Sequence, residues 1–375
     1  MNKKIMIIGA GLSGATLARV LAERGFEIYI YEKEKIVGGM AADKSELRNY
    51  PVGIKGPHIF HTNNEKIFQF ISRFCELDNY IHKVKSATEI GILPWPINFT
   101  TIKAIFETLT YAEGLRKWRA DISETKLKIG KPTTFIEKAK CEVGKKVYEI
   151  MIENYSKCQW GDEYQKLPAS LFNRIRVVFS TSDNFFDDKY QGMPIGGYTK
   201  LVENILDHKN INLFTSNKIL FKDYEKYIYK NKFILSTAKP NEISDGRFGI
   251  LPYRELNFKD ATSVVKREFD SKYFDNVAVI NIAKKYASFT RITNYKKLYS
   301  INTNEKDIIM AEYASKEGGV SCYPIITKDN IERSVKYINY LQKLGIYSFG
   351  RLGSYKYIDM DEAISTAIDL DETVW

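Results

Sequence analysis

The apolar run Ile5-Met6-Ile7-Ile8 ends at once in Gly9-Ala10-Gly11-Leu12-Ser13-Gly14, and helical periodicity takes over immediately, with Leu17, Val20 and Leu21 on one side. Strand, glycine turn and helix in that succession allow one arrangement, a βαβ unit whose second strand is Glu27 to Tyr31. Gly9 permits the tight turn, Gly11 lets backbone approach a pyrophosphate, and Gly14 allows the helix to lie close to the strand. An anion placed there meets free N–H groups at the positive helix end. Glu32 follows the second strand, about 20 residues after the glycines, where a carboxylate can accept the hydroxyls of an adenosine ribose. Dinucleotide binding is the expectation.

FAD and NAD share that fingerprint. Gly38-Gly39-Met40 comes soon after Glu32, in the loop where many flavoproteins bring backbone close to the pyrophosphate and ribityl chain, and it points to FAD.

The βαβ unit uses a small part of the 375 residues. Residues 64–160 turn largely helical, with apolar residues at three and four spacings over Lys66 to Cys75, Thr101 to Thr110, Thr133 to Ala139 and Val147 to Tyr155. Asn63 or Asn64 can cap the first of these and Thr133 or Thr134 the third. A further helix over Tyr198 to Leu206 follows the Gly196-Gly197 turn. Alternating segments at Val264 to Phe269, Val277 to Ile282 and Ile308 to Tyr313 predict strands. Ile331 to Leu344 reads as a helix, Tyr347 to Phe349 as a short strand and Asp359 to Leu370 as a last helix. Repeats and low-complexity linkers are missing from the sequence, so the nucleotide domain is expected to be assembled from separated segments with insertions between them.

A net charge of +10 favours anionic partners by long-range attraction, but the charge is scattered through pairs such as Lys284-Lys285 and Lys296-Lys297. No dense basic tail or stripe suggests nucleic acid. Cys75, Cys141, Cys158 and Cys322 form no CxxC pair, so neither a metal site nor a disulfide framework is expected, and a reduced cytoplasm is the simplest setting. No stretch approaches the roughly 18 apolar residues of a membrane span, so no membrane insertion is expected.

Five strings carry a resemblance: Gly56-Pro57-His58-Ile59-Phe60-His61-Thr62, Gln159-Trp160-Gly161, Tyr190-Gln191-Gly192-Met193-Pro194-Ile195-Gly196-Gly197-Tyr198, Phe289-Thr290-Arg291, and Gly350-Arg351-Leu352 followed by Tyr355 to Met360. In this order they resemble the UDP-galactopyranose mutase family of bacterial type over nearly the whole chain. The resemblance implies an α/β fold: a Rossmann-type FAD-binding domain with a helical insertion domain and an antiparallel β-sheet domain. The expected boundaries are 1–65, 190–240 and 335–375 for the discontinuous FAD-binding domain. The mainly helical domain with its mobile substrate loop is expected at 66–165, and the antiparallel-sheet substrate domain at 166–189 and 241–334.

By the same resemblance the chain is an isomerase that interconverts UDP-galactopyranose and UDP-galactofuranose through a flavin N5–sugar adduct, without net redox change. Arg174 and Arg291 then steady the departing diphosphate, a role suited to bidentate guanidinium groups, and His61 lies beside the flavin, where a neutral imidazole can bond to both cofactor and sugar hydroxyl. Tyr155 and Trp160 embrace the uracil on a loop expected to close over the nucleotide. Phe185, Asn281, Tyr323, Tyr357, Asp359 and His82 complete the substrate set. The cofactor set is Gly9, Gly11, Ser13, Gly14, Glu32, Lys33, Gly39, Met40, His58, Ile59, Arg351, Tyr357, Asp359 and Met360. The resemblance further implies a homodimer, a cytoplasmic setting, reduction of FAD by NADPH or NADH, and a product used in cell-surface polysaccharide such as lipopolysaccharide.

Several positions depart from the familiar galactose enzymes. Phe185 stands where a tyrosine often contacts the diphosphate, Ile358 replaces a tyrosine, His82 an asparagine, Pro57 an alanine and Ser156 a threonine. A lost hydrogen-bond partner alters specificity by a few kcal/mol, so UDP-N-acetylgalactosamine and dTDP-fucose stand as alternative substrates for the same ring contraction. An amine-oxidase-like flavin enzyme and a catalytically inert binding module are the remaining alternatives.

Overall fold

The computed structural model describes residues 4–45, 50–223, 234–263, 265, 274–299 and 306–374. It divides into two compact units, Met1–Asn79 with Asp188–Tyr253 and Ser321–Trp375, and Tyr80–Asp187 with Arg254–Val320. Most of the helical segment and most of the antiparallel sheet lie in the second unit, while helix Glu65–Ser72 lies in the first.

The first unit is built on a parallel sheet in the order Ile346–Ser348, Ile234–Ser236, Lys4–Ile8, Glu27–Tyr31 and Ile211–Phe214. Its strands come from distant stretches of chain because each parallel neighbour requires a crossover. Ile5, Ile7, Ile28, Ile30, Ile234 and Ile346 are buried, as a parallel sheet covered on its faces demands. Helix Leu12–Glu23 runs from the glycine turn and packs against the last helix, Met360–Val374. Helix Gly197–Leu206 opens at a pair of positive-φ glycines, Gly196 as its cap and Gly197 as its first residue.

The second unit is built on strands in the order Tyr253–Asp260, Ile309–Ser315, Arg291–Asn294, Val279–Ile282, Val84–Thr88 and Gly91–Trp95. All neighbours here are antiparallel except Val279–Ile282 with Val84–Thr88. That parallel pair is possible because the long stretch of chain between the two strands, helices included, supplies the crossover. One face of the sheet is apolar, with Ile280, Ile282, Ile292, Ile309 and Ala311 packed in a single cluster. The strand expected over Val264 to Phe269 lies outside the described residues apart from Val265.

Helices of this unit start where the sequence offers caps. Thr134 forms a reciprocal capping box with Glu137 ahead of Phe135–Val143, and in the first unit Asn64 accepts from Lys66 N–H ahead of Glu65–Ser72. The helix expected over Thr101 to Thr110 is Phe99–Ile105; the chain then turns through Glu107 at a φ of 52° and starts a longer helix, Tyr111–Ile129, from the Thr110 cap. Among the described residues no helix is long and apolar enough to cross a membrane.

Candidate active site

The cofactor candidates lie in the first unit. Gly9 takes a φ of 95° and its N–H donates to the carbonyl of Tyr31, closing the turn between the first two strands. A Cβ on Gly14 would stand 1.9 Å from the Gly9 carbonyl oxygen, so only glycine lets the helix rise this close to the strand. Glu32 is buried; one oxygen accepts the Ala10 N–H at 2.8 Å and the other the Glu34 N–H at 2.9 Å. Each oxygen keeps a second acceptor direction for a ribose hydroxyl. The carboxylate thus shapes the loop that it also presents to a ligand. The second glycine pair packs on the first, since Gly38 N–H donates to Ala10 O and a Cβ on Gly39 would lie 2.8 Å from Gly11 Cα. Met40 is half-buried and Lys33 exposed.

Arg351 reaches the same region. Gly350, at a φ of 71°, sits so close to Ser13 that a Cβ would be 3.0 Å from Ser13 Oγ, which seats the next residue beside the glycine turn. The Arg351 guanidinium lies 4.7 Å from the ring centre of Tyr323 and 4.5 Å from that of Tyr357. Its Nε and Nη2 are buried and have no hydrogen-bond partner among the described residues. Two orphaned, desolvated donors beside an anion-ready helix end fit a pyrophosphate group. Asp359 leads into helix Met360–Val374, its carbonyl accepting the Ala363 N–H at 3.0 Å.

His58, Ile59 and His61 lie on the stretch leading into and along strand Phe60–Thr62, which pairs with Tyr190–Gly192. His58 Nδ1 faces the Gly56 carbonyl at 3.1 Å. His61 Nδ1 is 2.9 Å from Asp188 Oδ2. With Nδ1 so engaged, at most Nε2 can serve a ligand, which narrows the two-sided bonding expected of this imidazole.

The substrate candidates of the second unit centre on a polar row. Asn281, Arg291 and Glu312 occupy matched positions on three adjacent strands, and cross-strand neighbours share a face. Ser86 extends the row beyond Asn281. Period-two alternation turns Ile280, Ile292 and Ala311 to the opposite, apolar face. Arg291 Nη1 lies 3.5 Å from Glu312 Oε1, and its Nη2 donates to Tyr155 OH at 3.3 Å. Asn281 Oδ1 is buried with no hydrogen-bond partner among the described residues. Burial pushes the Glu312 carboxyl above its ordinary range while Arg291 pulls it back.

The segment that the resemblance makes a substrate loop is helical through both Tyr155 and Trp160: Asn154–Trp160 continues a π-helical turn over Tyr148–Glu153 and extends the helix expected over Val147 to Tyr155. Trp160 is buried, and Arg254 holds the helix end by donating to the carbonyls of Gln159 and Cys158. Arg174 ends the short helix Ala169–Arg174 and is half-buried. His82 is buried, its Nδ1 2.9 Å from Tyr80 OH and its ring against Phe185 and Phe186. Phe185 N–H donates to the His82 carbonyl, so the two candidates pack on each other.

Sequence reasoning missed Glu312, Asp188 and Arg254. A lone acid inside the apolar strand Ile309–Ser315 was the available signal for Glu312, and an arginine entering the strand Tyr253–Asp260 for Arg254. Asp188 carried no local signal, because its partner lies 127 positions away. Among the described residues no group of three His, Cys, Asp or Glu is arranged to hold a metal ion.

Comparison with known proteins adds a family. Residues 150–357 match the UDP-galactopyranose mutase family model, and residues 7–74 match an NAD(P)-binding Rossmann-like domain. The chain is 33% identical to a probable UDP-galactopyranose mutase of Klebsiella pneumoniae, across 98% of this chain and 93% of that protein. It is 30% identical to a dTDP-fucopyranose mutase of Escherichia coli, across 98% of this chain and 97% of that one. A solved structure of reduced UDP-galactopyranose mutase shares the fold with a TM-score of 0.72 at 15% identity, covering 100% of this chain and 96% of that one.

Proposed function

Because the chain belongs to the UDP-galactopyranose mutase family, we propose that it interconverts UDP-galactopyranose and UDP-galactofuranose on a bound flavin, with no net oxidation or reduction. The observation that carries the reading is Arg291, a guanidinium on the polar face of the sheet, braced by Glu312 and Tyr155. A surface charge needs neither brace. A diphosphate that gains charge as its bond breaks needs a guanidinium held in advance.

We take the cofactor to be FAD. Its adenosine ribose suits Glu32, and its pyrophosphate suits Gly11 and the two orphaned donors of Arg351. When bound and reduced, this group would supply a nucleophile for the anomeric carbon of the sugar. The chain's own residues do the rest: Arg291 and Arg174 steady the diphosphate, Tyr155 and Trp160 offer faces to the base, and His61 offers a ring nitrogen. NADPH or NADH as reductant, a homodimer, a cytoplasmic setting and a role in cell-surface polysaccharide synthesis rest on the family resemblance alone.

Phe185 favours a second reading on the sugar and base. It brings no hydroxyl, and the dTDP-fucopyranose mutase is 30% identical, against 33% for the probable UDP-galactopyranose mutase. The same ring contraction on dTDP-fucose or UDP-N-acetylgalactosamine is the alternative.

One assay tests the set. The flavin-loaded protein, reduced with dithionite, is incubated with UDP-galactose, UDP-N-acetylgalactosamine and dTDP-fucose separately, and the products are resolved by chromatography. A furanose from UDP-galactose at the highest kcat/KM is expected. Preference for either other donor moves the assignment to that sugar. No furanose from any donor, together with peroxide release on an amine, overturns the reading.

A further inference from the structure

Asp188 precedes strand Tyr190–Gly192, whose Gln191 stands opposite His61 in an antiparallel ladder. The short lead into that ladder brings the Asp188 carboxylate back to the imidazole, Oδ2 to Nδ1 at 2.9 Å. Its other oxygen accepts from Asn63 Nδ2 at 2.5 Å, and Asn63 Oδ1 in turn accepts the backbone N–H of Lys189 at 2.9 Å. Both carboxylate oxygens are therefore held, and the holder is itself anchored to the backbone beside Asp188. The His61 and Asp188 side chains are 18% and 21% exposed, so the pair is largely withdrawn from water.

An ionised carboxylate only accepts hydrogen bonds, so the proton of the shared contact sits on Nδ1. In a neutral imidazole the partner of one nitrogen decides the state of the other. A free neutral histidine prefers its proton on Nε2, the opposite form. We propose that Asp188 is a positioning residue for the mutase reaction: it fixes His61 in the Nδ1–H tautomer and so makes Nε2 an acceptor for a hydroxyl or N–H of substrate or cofactor. Without Asp188 the ring presents a donor where an acceptor is needed, and it loses the brace against rotation about its side-chain bond. The proposal rests on the reading of His61 as a site residue given above.

The test uses the flavin-loaded protein with ¹⁵N-labelled histidine. The chain has only 4 histidines, His58, His61, His82 and His208, and His61→Gln identifies the signals of interest. Wild type is expected to show the Nδ1–H pattern at His61 and Asp188→Ala the Nε2–H pattern. Asp188→Ala is expected to lower kcat roughly ten- to a hundredfold, by analogy with the scale for a metal-bound histidine that loses its orienting partner, with KM little changed. Asp188→Asn, which keeps an acceptor oxygen in place and guards against a folding failure of the alanine variant, should recover part of the loss. In the double variant Asp188→Ala should slow His61→Gln no further, because the two act as one unit. An unchanged tautomer in Asp188→Ala, or a full additional loss in the double variant, overturns the proposal. Full activity of His61→Gln instead overturns the role of His61 and the catalytic half of the proposal, while the tautomer still reports whether Asp188 sets the ring.

Discussion

Glu312 stands opposite Arg291 on the neighbouring strand with its carboxylate 3.5 Å from the guanidinium, and it is the deeper of the two, at 4% side-chain exposure against 24%. A buried acid beside a cation is costly to maintain, and burial raises its proton affinity. A group whose folded pKa exceeds its unfolded value binds more protons when folded, so its contribution to stability is lost as pH rises through the folded pKa.

Glu312→Gln should therefore flatten the pH dependence of unfolding. Urea midpoints of wild type should fall relative to those of the variant as pH climbs from the ordinary value of 4.5 toward neutrality. Arg291 would keep Tyr155 but lose its charged brace. KM for the nucleotide sugar is expected to rise about tenfold, ~1.4 kcal/mol. Parallel pH profiles for both proteins would remove the assignment of Glu312 as a strained buried acid.

Arg351 offers a cleaner cofactor test. Lysine keeps the charge at that position but not the planar fork, and it stacks poorly between Tyr323 and Tyr357. Arg351→Lys should weaken flavin retention about tenfold and Arg351→Ala further. Flavin absorbance after desalting measures both. Retention equal to wild type in the alanine variant would show that the orphaned Nε and Nη2 face something other than the cofactor.

Two glycines of the phosphate turn should fail differently. An added methyl on Gly14 runs into the Gly9 carbonyl at 1.9 Å, whereas one on Gly11 meets Gly39 Cα at 3.4 Å, an ordinary contact. Gly14→Ala should cost at least about 3 kcal/mol of stability in the flavin-free chain, at the upper end of overpacking costs. Gly11→Ala should melt near wild type yet bind flavin poorly, because its methyl occupies the space a pyrophosphate needs. Equal melting temperatures for the two variants would contradict the packing account.

These glycines were legible in the sequence because their constraint is local: a strand, a turn and a helix within a few residues. The same holds for Asn64 and Thr134, where a cap and its helix are neighbours. Helix Tyr111–Ile129 escaped notice because it buries little more than Gly114, Trp118 and Thr125, too thin a stripe to give a periodic signal. The polar row of Asn281, Arg291 and Glu312 was visible only in part, since strand register decides which residues align and register is set by pairing across the sheet. Resemblance supplied Asn281 and Arg291. Glu312 needed the ladder.

Arg254 is the remaining test, and it asks whether the helix of Tyr155 and Trp160 must be held. The guanidinium is buried and donates through Nε to Gln159 O and through Nη2 to Cys158 O at 3.2 Å, two carbonyls at the end of Asn154–Trp160. A cation there also meets the negative end of the helix dipole. Burial pulls its pKa below the ordinary arginine value, with Cys158 and Asp162 opposing, but does not discharge it. Arg254→Ala removes both charged donors and strands the carbonyls, which should cost about 2 to 3 kcal/mol in urea unfolding. Arg254→Lys should recover part, since one ammonium cannot reproduce the fork. If the helix end also sets the faces of Tyr155 and Trp160, KM for the nucleotide sugar rises in both variants and the fluorescence response to UDP shrinks, while flavin absorbance stays constant. Lost stability with an unchanged KM and an unchanged fluorescence response would confine Arg254 to the fold.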